Sequence, residues 1–448
     1  MARFAVYLPA PIKCVPLAAV NDKSMVTGQL ECRRREAAEA WSLESGQAVV
    51  IGAGTPIHVP GRADRTYRFY AHSEYLYLTD RERPGAVLAF DPADGWSDFV
   101  PPPTAQEFLW SGAPATEPGL SADNLPDWLE ARKGARIANL GSAVQGVESD
   151  AELEADVRYA LNRIRRVKDE LEIERMRQAE RATKAGFAVA AELMAPGRSE
   201  RELQIEIEAA FLRSGGDGVA YETIVGGGPN AAVLHFMPTS RAFADGDLVL
   251  IDAGAEVRGY ASDITRTYPA SGSFTPEQEA LYTLVAAACT TGIEQCVPGN
   301  EWLDVHAVAA TVIAEGLVDF GILRGDPDAL VESGAVTLFF PHGIGHMVGL
   351  GIRDAGEVLR GRSGTRPGFP QVRVDLPLEP GHCFTVEPGI YFVPALLQDE
   401  ERRRDHADAV DWDRVDRMLD FGGIRIEHNV LITDTGCEIL TSDVPLLG

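Results

Sequence analysis

Ile251-Asp252-Ala253-Gly254-Ala255-Glu256, followed by Ser262-Asp263-Ile264-Thr265-Arg266, is the stretch on which the reading of this chain turns. Two apolar runs, Leu248 to Ala253 and Ser262 to Tyr268, flank a turn near Val257 to Gly259, the pattern of an antiparallel hairpin. Because side chains alternate with period two, Asp252 and Asp263 can lie opposite each other on one face. Two carboxylates at that range repel, so the pair asks for a bound proton or a cation. Taken alone, the hairpin leaves a second reading open, in which both acids are exposed and merely flank a turn.

Further along, Glu387 closes Phe384-Thr385-Val386 ahead of Pro388-Gly389, and Glu427 ends Gly423-Ile424-Arg425-Ile426. A charge set into an apolar strand is unfavourable without a partner. One such Glu is ordinarily a strand-end surface residue; two of them, beside the Asp pair, favour a site. His346 belongs to His342-Gly343-Ile344-Gly345-His346, where glycines let the backbone pass close to a ligand. Asp252, Asp263, His346, Glu387 and Glu427 together make a hard, oxygen-rich donor set. It suits Mn²⁺, Co²⁺ or a similar ion better than a thiolate-bound structural zinc site would.

Bulk properties narrow the field. The 448 residues are more than one core usually organises, so two domains are expected. Hydrophobic residues at 45% and charged residues at 24% describe a globular chain. A net charge of −26, from 67 acidic and 41 basic side chains, repels phosphate backbones and anionic membranes, which excludes nucleic acid and membrane surfaces as partners. The six cysteines (Cys14, Cys32, Cys289, Cys296, Cys383 and Cys437) are scattered, as in a reducing compartment. Pro9, Pro11, Lys13 and Pro16 interrupt what would be the core of a secretion signal, and no apolar run reaches the ~20 residues of a membrane span. A cytoplasmic location is expected.

The organisation reads as an N-terminal extension (1–28), a small α/β domain (29–155) and a larger α+β unit (156–448). The first domain opens with a helix-like stretch, Cys32 to Trp41. Strand-like runs follow at Ala48 to Ile51, Tyr75 to Leu78 and Ala86 to Phe90, and a linker-like segment lies around Pro114 to Pro126. One long helical pattern, Leu161 to Met194, hands the chain to the second domain. There, Ser199 with Glu202, and Thr275-Pro276 with Gln278, mark helix starts. Asp304 to Val318 predicts a further helix, while Cys383 to Glu387 and Ile424 to Thr433 predict strands. Gly226-Gly227-Gly228-Pro229 lacks a following Gly-Lys-Ser/Thr, so it predicts a loop and not a phosphate cradle.

The five donors, in this order and in these contexts, resemble the pita-bread metallopeptidases, which include methionine aminopeptidase, aminopeptidase P and prolidase; the likeness spans roughly Arg165 to Thr441. The resemblance implies two divalent ions, Mn²⁺ first, with Asp263 and Glu427 bridging, Asp252 on one ion, and His346 and Glu387 on the other. It implies hydrolysis by a water that the ions share, with Glu387 as general base and His235 and His342 contacting substrate or stabilising the intermediate. The N-terminal region, with Tyr75-Leu76-Tyr77-Leu78-Thr79 ahead of Pro84-Gly85, is similar to the non-catalytic domain of the aminopeptidase P and prolidase branch. Homodimers are common there. His428 should face away from the site, and His58, His72, His306, His382 and His406 have no supporting motif.

Within that branch the first reading is an Xaa-Pro dipeptidase (prolidase), and the alternative is an Xaa-Pro aminopeptidase acting on longer peptides. The charged segment Gln398 to Arg417 resembles the longer connection of prolidases. Arg373 falls where that branch carries an arginine for the substrate carboxylate, although it also reads as a solvated loop residue. Arg425 is either a substrate contact or the partner of an ion pair supporting the ligands. One position departs from the family: seven residues after His346 a histidine is usual, and here stands Arg353. That residue is either a substrate contact in its own right or a sign of drift toward a binding protein without peptidase activity.

Overall fold

The computed structural model describes residues 23–442 and 444, apart from 63, 111, 113–118, 356–357, 363–365, 367–368 and 370–371. The N-terminal extension as far as residue 22, with Cys14, and Pro114 of the linker-like segment lie outside the described residues. The first unit opens with α1 (Lys23–Trp41), β1 (Gln47–Gly52), α2 (Ser73–Thr79), β2 (Val87–Asp91) and β3 (Gly95–Val100). It continues with α3 (Ala105–Trp110), β4 (Leu120–Ser121), α4 (Leu125–Glu130) and β5 (Arg136–Gly141). Its sheet has the order β4-β3-β2-β1-β5, with β1 antiparallel to β2 and parallel to β5. Ala48, Val49, Val50 and Ile51 are all buried, which is why β1, an interior strand, is a continuous apolar run.

Tyr75 to Leu78, expected as a strand, is the helix α2. Four consecutive apolar residues cannot distinguish the two periods. Here the choice falls to the ends, where His72 Nδ1 accepts from the Glu74 amide and Asp80, at φ 55, closes the helix.

The expected single helix from Leu161 to Met194 is two helices, α5 (Ala151–Arg166) and α6 (Glu170–Leu193). Between them Val167 is extended, and Asp169 forms a capping box with Glu172. The Lys168 amide donates to Gly381 O at 2.8 Å, drawing the break toward the site. The boundary read near residue 155 falls inside α5. That helix faces both units: Trp41 Nε1 donates to Val157 O at 3.0 Å, and Arg165 Nη2 reaches Asp354 at 2.8 Å.

The capping box expected at Ser199 and Glu202 starts α7 (Glu200–Arg213). Then come β6 (Gly218–Val219), β7 (Ile224–Gly227), β8 (Leu248–Ala253), β9 (Ala255–Val257), β10 (Tyr260–Ala261) and β11 (Ile264–Pro269). The glycine run expected as a loop is therefore the end of β7 and a 3₁₀ turn, Gly228–Ala232. Its Gly227 amide donates to Glu200 Oε1 at 3.0 Å, so the run meets protein and not phosphate. Arg258 and Gly259, at φ 54 and 79, make the two-residue turn of the expected hairpin.

Thr275 caps α8 (Pro276–Glu294), and α9 (Trp302–Asp319) and α10 (Pro327–Glu332) pack behind the strands. Trp302 stacks on Phe384 with ring centroids 4.4 Å apart. The remaining elements are β12 (Cys383–Val386), β13 (Gly389–Tyr391), α11 (Pro394–Leu397), α12 (Glu400–Asp405), α13 (Trp412–Asp416), β14 (Gly423–Arg425), β15 (His428–Ile432) and β16 (Cys437–Ile439). Ile424 to Thr433, expected as one strand, thus changes sheets midway: β14 pairs with β13, and β15 pairs with β12. Glu427 stands at that hand-over, where no ladder partner competes for its position.

Helices over curved strand pairs, with a smaller mixed domain in front, give the α+β pita-bread architecture expected from the sequence. A second apolar cluster joins the units: Trp41, Tyr75 and Leu78 of the first share it with Tyr260, Val348, Leu350 and Leu431 of the second. Among the described residues, no helix is long and apolar enough to cross a membrane.

Candidate active site

A cavity of about 580 Å³ opens among β7, β8, β12, β14 and the loop after Pro341. Every residue singled out from the sequence lines it: Asp252, Asp263, His346, Glu387 and Glu427, with His235, His342, Arg353, Arg373 and Arg425. Ligand atoms of Asp263, His346 and Glu427 all lie within 4.8 Å of one another.

The pairing of the two aspartates differs from the expectation. Asp252 sits across from Thr265, while Ile264 faces Ala253, so Asp263 falls one step beyond the ladder and meets Asp252 diagonally. The offset arises at Gly254, where a Cβ would stand 1.8 Å from Ser262 O. Only glycine admits that approach, and the close pass carries Asp263 off the ladder toward the cavity.

Four of the five candidate ligands are held from behind. Tyr221 donates to Asp252 Oδ1 at 2.6 Å, and Arg425 Nη2 donates to Oδ2. Thr265 Oγ1 donates to Glu427 Oε2 at 2.6 Å and accepts from Arg425 Nε at 3.0 Å. Asn429 clasps the Asp263 backbone, accepting from its amide at 3.0 Å and donating to its carbonyl at 2.8 Å. His346 donates from Nδ1 to Met347 O at 3.0 Å, leaving Nε2 turned to Asp263 at 3.3 Å and Glu387 at 3.7 Å. Such a tautomer, fixed by a backbone carbonyl, is that of a metal-binding imidazole. Gly345 is required beside it, because a Cβ there would lie 2.0 Å from Thr385 O.

The ion pair left as the alternative for Arg425 is present. Its donors reach Thr265, Tyr391 and Asp252, and its backbone is buried in β14. Tyr391 accepts from Arg425 Nη1 at 2.9 Å and donates to His342 Nε2 at 2.9 Å, while His342 Nδ1 donates to Gly343 O at 2.8 Å. Burial, and then Arg425, lower the His342 pKa to about 3, so it is a neutral imidazole with both nitrogens engaged. His235, Arg353 and Arg373 are exposed at the cavity. Outside it, His428 is buried against Thr441, as expected of a residue facing away. His306, given no role from the sequence, accepts from the Ile344 amide at 3.1 Å and so supports the loop between His342 and His346.

The electrostatics test whether this set fits divalent ions. Burial pushes Glu387 up to about 7. Glu427 is raised well above the carboxylate range, by burial first and then by Asp263, Glu387 and Asp252. Asp252 is raised by burial, with Arg425 pulling the other way. For His346, burial opposes the charged ring, but Asp263 and Glu387 outweigh it and raise the pKa. Four carboxylates in one buried cleft therefore cannot all ionise on their own, and dipositive charge removes that conflict. The residues fit the implied ions.

A cleft of this donor chemistry in this fold defines a hydrolytic metalloenzyme. Residues 174–434 match Metallopeptidase family M24, and residues 31–127 match the Aminopeptidase P, N-terminal domain. The chain belongs to metallopeptidase family M24. It is 32% identical over 435 residues to "Probable Xaa-Pro aminopeptidase PEPP" of Paracoccidioides brasiliensis (strain Pb03), covering 91% of this chain and 93% of that one. Among solved structures, it is similar to the Pseudomonas aeruginosa aminopeptidase PepP, with a TM-score of 0.78 and 30% identity over 94% of this chain and 96% of that one. It is also similar to zinc-substituted Escherichia coli aminopeptidase P in complex with product, with a TM-score of 0.77 and 29% identity over 94% and 96%.

Proposed function

We propose that this enzyme is an Xaa-Pro aminopeptidase, which removes the first residue from peptides with proline second. The observation that supports it most is the pairing, in one chain, of an aminopeptidase P N-terminal domain with all five metal donors lining a single cavity. Full-length likeness to Xaa-Pro aminopeptidases moves this reading ahead of the dipeptidase that Arg373 and the segment Gln398 to Arg417 suggested. The dipeptidase stays as second reading because Arg373 does line the cavity.

Asp263, His346 and Glu427 would hold the ions together, with Asp252 and Glu387 completing the set. When bound, two divalent ions supply Lewis acidity, lowering the pKa of water and offsetting charge on the scissile carbonyl oxygen. Glu387, ionised once dipositive charge offsets its neighbours, would accept the proton of the attacking water and deliver it to the leaving nitrogen. Arg425 favours the charged form of Asp252 against the burial that opposes it, burial and Arg425 hold His342 neutral, and exposed His235 offers a contact to the peptide. Mn²⁺ is the ion we favour over Co²⁺ and Zn²⁺, and a cytoplasmic homodimer is the form in which we expect it. The free state of Cys32, Cys289, Cys296, Cys383 and Cys437 supports a reducing compartment.

The test loads metal-free protein with Mn²⁺, Co²⁺ or Zn²⁺ and compares Xaa-Pro dipeptides, longer Xaa-Pro peptides and peptides without proline. Light scattering of the same sample gives the subunit number. Turnover of the longer Xaa-Pro peptides, with Mn²⁺ fastest, is the expected result. Cleavage of dipeptides alone would make it a prolidase, and no turnover with both ions bound would make it a binding protein.

A further inference from the structure

We infer that Arg353 reads a carboxylate on the leaving-group side of the scissile bond, so that the enzyme favours peptides carrying an anion there. The inference rests on the aminopeptidase reading. Arginines of the same region are spoken for: Arg360 pairs with Asp156 at 2.5 Å, Arg362 with Glu301 at 2.5 Å, and Arg366 with Asp304 at 3.1 Å. Arg353 is exposed, lines the cavity and, among the described residues, has no ion pair or side-chain hydrogen bond. In a chain with 67 acidic side chains to 41 basic ones, a guanidinium left over at a carboxylate-rich cleft is unusual, and among the described residues Arg373 is the other at this one.

Its backbone is not free to wander. The next residue, Asp354, is buried, and it binds Arg165 Nη2 at 2.8 Å, Lys168 Nζ at 2.9 Å and the Leu350 amide at 3.1 Å. The loop is thereby clamped to the joint between α5 and α6, and Arg353 projects from a fixed base. Arg373 lines the same cavity, thrown outward between buried Val372 and Val374.

Polarity gives the direction. A peptide brings an ammonium at its first residue, which acidic groups accept, and its terminal carboxylate only on the far side of the scissile bond. Guanidinium is permanently charged and offers a two-pronged fork to a carboxylate, which the imidazole usual at this position does not. The anion can come from the free C-terminus of a short peptide or from an acidic side chain of a longer one.

The test uses the metal-loaded enzyme and two substrate pairs. One pair is an Xaa-Pro-Yaa tripeptide as free acid and as amide. The other is a longer, amidated Xaa-Pro peptide carrying Glu or Gln two residues after the proline. A charge-assisted pair predicts that kcat/KM falls about tenfold when the anion is removed from at least one pair, chiefly through KM. The pair that responds names the source of the anion. Arg353→Gln is expected to bring the ratio of anionic to neutral substrate near one, and Arg353→Lys to keep most of it. Equal rates within both pairs, or an Arg353→Gln enzyme that loses both members in equal proportion, overturn the inference alone. Hydrolysis of no Xaa-Pro peptide overturns it together with the functional reading.

Discussion

Replacing Thr265 by valine removes one hydroxyl and keeps the shape of the side chain, and it bears on two of the proposed metal ligands at once. Thr265 is fully buried; its Oγ1 donates to Glu427 at 2.6 Å and accepts from the Arg425 guanidinium that holds Asp252. The bond from the Arg425 guanidinium contributes about 1.5–3 kcal/mol and that to Glu427, which the metal-free site holds toward its neutral form, about 0.5–1.5 kcal/mol; Thr265→Val leaves both buried groups one partner short. The expected loss in stability of the metal-free protein is about 3 kcal/mol. Groups behind a metal ligand are worth about 10- to 100-fold in affinity, so binding of the ions should weaken by that factor. Urea unfolding of the metal-free protein and titration against a chelating dye measure the two effects separately. Thr265→Ser, which keeps the hydroxyl, should restore most of both. A Thr265→Val protein that binds metal within twofold of wild type would refute the idea that this hydroxyl couples Glu427 to Asp252.

Three other expectations follow from the same network. Glu387→Gln should retain the fold and lower kcat about 10²- to 10⁴-fold, read by steady-state hydrolysis of an Xaa-Pro tripeptide; a loss below tenfold removes Glu387 as the base. Glu172 is fully buried and is pushed up to about 7 by burial and then by Asp169, against Arg33. Its neutral form contributes stability that is complete below the unfolded value of about 4.3 and is lost as pH rises toward 7. Glu172→Gln can keep the capping geometry, so its stability relative to wild type should climb between pH 5 and pH 8, by up to about 3 kcal/mol in thermal melts; a flat difference contradicts the assignment. Asp354 runs the other way, since Lys168 and Arg165 outweigh burial and hold it below the usual range. Its stabilisation is present above about pH 3.9 and fades as pH falls through the folded value. Asp354→Asn, which strands two buried cations, should cost about 3–5 kcal/mol in urea melts at pH 7, with the gap narrowing in acid.

That Asp252, Asp263, His346, Glu387 and Glu427 belong to one cavity was legible because each sits in a short local pattern: a carboxylate at the end of an apolar run, or a histidine among glycines. The groups behind them were not. Tyr221, Thr265, Tyr391 and Asn429 reach their partners across as many as 166 positions of chain, and nothing near any of them in sequence marks the contact. Hairpin geometry fixed which face the aspartates share but not their offset, which depends on how closely Gly254 approaches Ser262. The break between α5 and α6 did have a signal, the Asp169 and Glu172 capping box, masked because the apolar periodicity runs straight through it. Glu427 was read as a strand end, and the exchange of sheets that sets it there shows only in three dimensions. The order of the two branch readings was reversed for a related reason. A charged connection and one arginine are features of single loops, whereas likeness to the aminopeptidases is spread along the whole chain.

Trp41, Tyr75 and Leu78 share their apolar surroundings with Tyr260, Val348, Leu350 and Leu431, so each half of the molecule, beside the dry interior of its own, owes one face of it to the other. A protein cut back to residues 156–448 would show that greasy seam to water and tend to clump. The intact chain should melt in one calorimetric step, and damage in the front half should be felt as loosened chemistry in the back.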